Sequence, residues 1–303
     1  MVTVHVDRTG SRPFPRFSLV ALAGRALGAV PPPAQVLAGI ISVQVGAALA
    51  KQLFGVVGSA GAVALRLFFA ALILLAVWRP SVRLGRRALL VVLGYGVVLG
   101  VMNLCFYLAL AKVPLGVVVT IEFLGPLAVA IGGSRRWLDG LWALLAAGGV
   151  VLLTEGRGEL HLVGILFALA AAVCWAAYIL LSAALGRHTS DGGGLALGMV
   201  LAAAVVVPVG LVDSGPALFE PWVLLVGLGV ALLSSVIPYS LELEALRRIP
   251  PKVFGVLMSL EPAVAALVGL IVLHEALGPI QWVAILLVVA ASAGATRTAR
   301  SAP

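Results

Sequence analysis

Ten long apolar runs constrain this chain more than any other feature of its sequence. A bilayer core about 30 Å thick is crossed by about 20 apolar residues in an α-helix. With 62% hydrophobic and 11% charged residues, the chain is far more apolar than a soluble domain of its size. We therefore predict an all-α membrane protein with ten transmembrane helices. They cover approximately residues 34–54, 58–78, 88–110, 113–131, 138–154, 161–185, 193–212, 222–246, 251–273 and 279–296.

The positive charges lie mainly on one side of this predicted bundle. With a cytoplasmic N-terminus, 16 of the 20 lysine and arginine residues fall in cytoplasmic segments, whereas the outer loops hold Lys51, Lys112 and Arg157. Because positive charge is retained in cytoplasmic loops, this asymmetry predicts that both termini are cytoplasmic. It also accounts for the net charge of +8 by orientation in a lipid bilayer, with no nucleic-acid partner.

The two halves of the chain resemble each other at a shift of 136 residues. Pro114 then falls on Pro250, and Pro126 falls on Pro262. A repeat of five helices has an odd number of crossings, so its second copy must be inverted in the membrane. We predict two inverted five-helix repeats, at 34–154 and 161–296. An Arg- and Pro-rich segment, 1–33, precedes them as a disordered cytoplasmic extension, and 297–303 form a cytoplasmic tail.

Glu122 and Glu261 are acidic residues in the middle of two of the apolar runs, each close to a proline. A carboxylate in hydrocarbon is costly, so it usually faces a cavity or a partner. The nearby proline removes a backbone donor and bends the helix. Under the repeat shift Glu261 falls on Gly125, which lies three residues from Glu122 and therefore on the same helix face. Both carboxylates are predicted to face one central space and to bind substrate or protons.

Other polar residues share helix faces that could line the same space. The candidates for substrate or proton binding are Gln44, Lys51, Asn103, Tyr107, Trp175, Tyr178, Tyr239 and Glu242. Each also has a structural explanation: aromatic residues mark membrane interfaces, lysines snorkel, and amides join helices. Arg66 also lies inside an apolar run, and we expect it to make a structural ion pair or a headgroup contact.

Several motifs are similar to those of one transporter family. They are SVQVGAALAK at 42–51, ALRL at 64–67, MNLCFYL at 102–108, VPLG at 113–116, EFLGPLAVA at 122–130, CWAAYIL at 174–180, PYSLE at 238–242, FGVLMSLEPA at 254–263 and PIQ at 279–281. Together they resemble the bacterial threonine/homoserine exporters, in the EamA group of drug/metabolite transporters. The resemblance covers roughly residues 35–296.

This resemblance implies a ten-helix exporter of small neutral amino acids in the bacterial inner membrane, driven by proton antiport with alternating access. Its partners would be the amino acid, protons and the lipid bilayer, with no cofactor and no metal, and the protein would be a monomer or a homodimer. The chain departs from the family in its longer, more basic N-terminal segment and in the charges Glu244, Arg247, Arg248 and Lys252.

Four alternatives remain at this stage. The chain could carry another small solute handled by the same superfamily, or it could be a channel or a structural membrane protein. An intramembrane enzyme would need a nucleophile with a base, paired aspartates or metal ligands. The four histidines lie in the tail or at loops, and Asp139 opens a helix at the inner surface. The sequence thus favours transport over catalysis.

Overall fold

The computed structural model describes residues 30–78, 85–132, 137–155, 161–186, 193–246 and 248–298. Within these ranges every regular element is helical, which confirms the all-α prediction. The elements are α1 Pro32–Gln52, α2 Phe54–Trp78, α3 Arg86–Leu110, α4 Leu115–Glu122, α5 Leu124–Ile131, α6 Trp137–Glu155, α7 Leu162–Gly186, α8 Gly193–Ser214, a 3₁₀ turn Gly215–Phe219, α9 Pro221–Ala231, a π-helical segment Leu232–Val236, α10 Ile237–Leu246, α11 Pro251–Met258, α12 Glu261–Val272 and α13 Pro279–Thr298.

In the described parts of the chain, eight helical stretches are long and apolar enough to cross a membrane. Two further stretches, Leu115–Ile131 and Trp137–Leu153, are apolar but reach only 17 residues. At 1.5 Å per residue they rise about 26 Å, a few Å less than the hydrocarbon core. Large apolar side chains such as Val173 and Leu225 remain 71% exposed on the outside of the bundle. Such an outer surface is that of a protein embedded in lipid.

Two of the apolar runs are broken helices, and prolines explain both breaks. Pro126 has no N–H to donate to the carbonyl four residues earlier, at Glu122, where α4 ends. Pro262 has the same relationship to Met258, where α11 ends. Both prolines lie in the first turn of the following segment, where a missing N–H is tolerated. The chain therefore interrupts both helices at corresponding positions of its two halves.

A third proline explains the π-helical segment between α9 and α10. Pro238 cannot donate to the carbonyl of Ser234, which lies four residues earlier. Side chains from other helices bond the carbonyls exposed there. The hydroxyl of Ser42 donates to the carbonyl of Leu233 at 2.7 Å, and Nη2 of Arg66 donates to that of Ser234 at 3.0 Å. This irregular turn is thereby fixed against α1 and α2.

Close helix packing surrounds these breaks. The helix α2 packs along α8, α3 packs between α7 and α8, and α6 packs along α13. At Gly46, a Cβ atom would collide with the hydroxyl of Ser234 and would lie 3.0 Å from its backbone nitrogen. Only glycine therefore lets α1 approach the π-helical segment this closely. The long helices hold that segment and both helix breaks around one interior space.

Candidate binding cavity

The three interrupted helices meet α1, α2, α3 and α7 around a cavity of about 160 Å³. This is roughly ten times the space that one water molecule needs, so the cavity suits a small metabolite. The lining residues are Val43, Gln44, Arg66, Met102, Asn103, Phe106, Val119, Glu122, Trp175, Tyr178, Ser234, Tyr239, Glu242, Met258 and Glu261. Apolar and aromatic walls thus enclose a small number of polar groups, which is typical of ligand pockets.

Both predicted carboxylates lie at the helix breaks that face this cavity. Glu122 is the last residue of α4 and is 8% exposed, and its carboxylate makes no hydrogen bond to another described residue. Glu261 is the first residue of α12 and is 7% exposed. Its Oε1 accepts a hydrogen bond of 3.1 Å from Nε2 of Gln44, whereas Oε2 has no partner within the described part of the chain. Glu122 and Glu261 therefore line the same cavity, and each has a carboxylate oxygen that no described donor occupies.

The opposite charge in the cavity comes from Arg66. It lies mid-way along α2 and is 8% exposed. Besides its bond to the Ser234 carbonyl, its Nε donates to Oγ of Ser235 at 3.4 Å, and its guanidinium lies 5.7 Å from the centre of the Tyr107 ring. No described carboxylate pairs with it. The expectation of a structural ion pair is therefore wrong: backbone, hydroxyl and aromatic contacts hold Arg66 at the cavity.

Aromatic and amide side chains form much of the remaining wall. The Trp175 ring meets Phe123 edge-on with centroids 5.5 Å apart, and the Tyr178 ring lies 5.2 Å from that of Tyr95. The Asn103 amide donates to the Leu99 carbonyl of its own helix at 2.8 Å, which leaves its oxygen as an acceptor. These contacts fix the rings and leave the wall partly polar.

Eight of the ten candidate residues line the cavity, and two lie elsewhere. Tyr107 is fully buried beneath Arg66, with Phe54 and Phe106 against its ring. Lys51, at the end of α1, forms an ion pair of 2.5 Å with Glu275. The other oxygen of Glu275 accepts the backbone N–H of Leu115 at 2.8 Å, so this network ties α1 to the start of α4.

Sequence reasoning left several lining residues out of the candidate set, chiefly Arg66, Ser234 and Met258. Each had a signal. Arg66 is a charged residue inside an apolar helix. Pro238 cannot donate a hydrogen bond to the Ser234 carbonyl, which lies four residues earlier. The repeat shift places Met258 on Glu122. The distance along the chain hid the connection, because Arg66 and Ser234 are 168 residues apart.

Three acidic side chains, Glu122, Glu242 and Glu261, line the cavity together with one cationic side chain, that of Arg66. Glu261 interacts electrostatically with Glu122 and Glu242, and the positive charge of Arg66 acts on Glu122. These side chains can bind a small solute that carries both a positive and a negative charge, and the acidic ones can also take up and release protons. In the described parts of the chain, no group of three or more His, Cys, Asp or Glu residues could hold a metal ion.

A small cavity with a few polar groups, inside a bundle of apolar helices, defines a multi-pass membrane protein that binds a small polar solute. Comparison with known proteins adds the family. The model of the EamA-like transporter family matches residues 162–297. The chain is 46% identical over 268 residues to the threonine/homoserine exporter RhtA of Escherichia coli, covering 87% of this chain and 90% of that protein. The exporter of the same name in Salmonella typhimurium is 46% identical over 271 residues, covering 88% and 92%.

The chain therefore belongs to the EamA-like transporter family, which confirms the resemblance inferred from its motifs. Membership also confirms that it is a transporter and not an enzyme. A protein of known crystal structure shares the fold, with a TM-score of 0.56 and 23% sequence identity, covering 88% of this chain and 97% of that one.

Proposed function

We propose that this chain exports small neutral amino acids, such as threonine and homoserine, across the bacterial inner membrane by proton antiport. The observation that carries the proposal is the position of Glu122 and Glu261, two buried carboxylates at two helix breaks that face one small cavity. The identity to exporters of threonine and homoserine supports the substrate class and the direction of transport.

Coupling follows from competition for the same oxygen atoms. A carboxylate in a dry cavity is stabilised by either a proton or a cationic partner, because an isolated charge there is costly. The ammonium group of an amino acid and a proton therefore displace each other at Glu122 and Glu261. If each form favours access from one side of the membrane, export of the amino acid is linked to entry of a proton.

The other cavity residues take supporting roles in this proposal. Gln44 orients Glu261, and Asn103 offers a polar contact to the solute. Trp175 and Tyr178 enclose a small side chain. Tyr239 and Glu242 in α10 line the path toward the cytoplasm, while Lys51 and Tyr107 act outside the cavity, through Glu275 and Arg66 respectively.

Two inverted repeats of five crossings, at 34–154 and 161–296, form the scaffold in this proposal. Helix packing supports it: α2 packs on α8 and α6 packs on α13. Each pair joins counterparts under the repeat shift. Likewise α1 packs on α10, α11 and α12, while its counterpart α7 packs on their counterparts α3, α4 and α5. A packing pattern that survives exchange of the two halves is expected for such a repeat.

The shorter stretches Leu115–Ile131 and Trp137–Leu153 complete ten crossings, since a bilayer thins locally around a short helix at modest cost. An even number of crossings puts both termini on one side, and the charge distribution favours the cytoplasm. The inner membrane is the compartment in which a proton gradient can drive the export of cytoplasmic amino acids.

Proteoliposomes test this function directly. Purified protein is reconstituted, and accumulation of radiolabelled threonine is measured with an acidic lumen, with no pH gradient and with a protonophore. We expect accumulation only with the gradient. Glu261→Gln should accumulate none, whereas Glu220→Gln, an exposed change before α9, should behave like wild type.

Two results would overturn the proposal in different ways. Threonine and homoserine uptake equal to protein-free liposomes, with folded protein present, would reassign the substrate to another metabolite. Uptake that ignores the pH gradient would reject proton coupling while keeping the substrate.

A further inference from the structure

Arg66 is a buried charge that forms no close ion pair with a described carboxylate. Its neighbours Leu65 and Leu67 are 3% and 0% exposed, so Arg66 is a charged residue within a buried, apolar stretch of α2. An ionisable residue inside a membrane helix is by default a sign of a functional site. The charge has no carboxylate partner among the described residues, although Glu122 and Glu261 line the same cavity.

The Arg66 guanidinium is held in place by two hydrogen bonds, and its other N–H groups can still bind a ligand. An arginine has five N–H donors, and Ser234 and Ser235 accept from two of them. The Tyr107 ring supports it at 5.7 Å through a cation–π contact. Because the π-helical segment fixes the guanidinium, little side-chain freedom is lost when a ligand binds.

The chemistry of the remaining donors identifies a ligand group. A guanidinium presents parallel N–H bonds that match the two oxygens of a carboxylate, and such pairs are strong in a dry site. We propose that Arg66 binds the carboxylate of the transported amino acid while Glu261 and Glu122 face its ammonium group. The transporter therefore selects zwitterions with a free carboxylate. This inference rests on the proposed function, because it requires an amino-acid substrate.

The test compares two ligands that differ only at that group. Binding of L-threonine and of L-threoninamide is measured by calorimetry on the purified full-length protein, at a pH where both ammonium groups are charged. Wild type should bind threonine at least about tenfold more tightly than the amide, as expected for charge-assisted hydrogen bonds. Arg66→Met should bind both equally. Arg66→Lys should restore part of the preference, since it keeps the charge but loses the paired geometry.

Arg86→Met, at the exposed start of α3, is the matched control and should keep the wild-type preference. Equal binding of both ligands by wild type, or an undiminished preference in Arg66→Met, would overturn the role of Arg66. If Arg66→Met does not fold, Arg66→Lys provides the test. An undiminished preference of that variant for threonine over threoninamide would also overturn the role of Arg66. Failure of wild type to bind either ligand would instead reject the amino-acid substrate itself.

Discussion

The Gln44 amide donates a 3.1 Å hydrogen bond to the Glu261 carboxylate, joining helices that are 217 residues apart in sequence. Gln44 is 1% exposed and Glu261 is 7% exposed, so this bond lies inside the bundle. One Glu261 oxygen is thereby occupied, and the other has no partner in the described chain. The bond holds the carboxylate in the wall of the cavity, which both residues line.

We expect Gln44→Ala to destabilise the protein, because one oxygen of Glu261 would lose its buried donor. The loss should be about 1–3 kcal/mol in the free energy of unfolding, measured by thermal unfolding in detergent. Gln52→Ala, an exposed change at the end of the same helix, should leave stability unchanged. Equal stability of both variants would show that the bond contributes nothing to the fold.

Glu122→Gln should abolish proton-coupled export without preventing insertion. The amide keeps the volume of the side chain and removes only the group that exchanges protons or pairs with an ammonium. We expect gradient-driven threonine flux at the background level, with normal amounts of monodisperse protein. Wild-type flux in this variant would assign Glu122 to packing.

Glu275→Leu should destabilise the protein more than Lys51→Met does. The ion pair is partly exposed, with side chains 24% and 15% accessible, so its net contribution is about 0–1 kcal/mol. Glu275 also accepts the N–H of Leu115, which is 0% exposed, and loss of that acceptor costs about 1–3 kcal/mol more. Melting temperatures in detergent test this order, and equal shifts would contradict it.

Gly46→Ala should weaken the bundle, because the new Cβ atom would meet the π-helical segment at Ser234. Overpacking of this kind costs about 1–3 kcal/mol. Gly55→Ala is the matched control, since nothing lies within 4 Å of a Cβ atom there. The measurement is the midpoint of thermal unfolding for both variants. If Gly46→Ala and Gly55→Ala unfold at the same temperature, the close approach of α1 to the π-helical segment is not required for stability.

Single cysteines placed in the connections should report the proposed orientation. In a background without Cys105 and Cys174, sites at 154–161 and 212–221 should react with an impermeant thiol reagent added outside the cell. Sites at 79–87 and 186–192 should react only after the membrane is opened. The reverse pattern at either pair would reject the inverted repeat and the cytoplasmic termini together.

The helices were predictable from the sequence because membrane helices depend on apolar length. The runs 34–54 and 279–296 correspond to Pro32–Gln52 and Pro279–Thr298. The helix breaks were also partly readable, since prolines act on carbonyls four residues away. Partners of polar groups were not readable. Lys51 and Glu275 lie 224 residues apart, and no local pattern states which charges meet.

The proline breaks beside Glu122 and Glu261 also bear on how such a protein would move. Neither α4 with α5 nor α11 with α12 is one continuous helix, and Pro126 and Pro262 each remove one backbone hydrogen bond there, so the two segments of each pair would tilt most easily about the break. The pivots would then coincide with the groups that sense proton and solute. Protonating a carboxylate would act directly at the hinge, so chemistry and movement would need no relay between them.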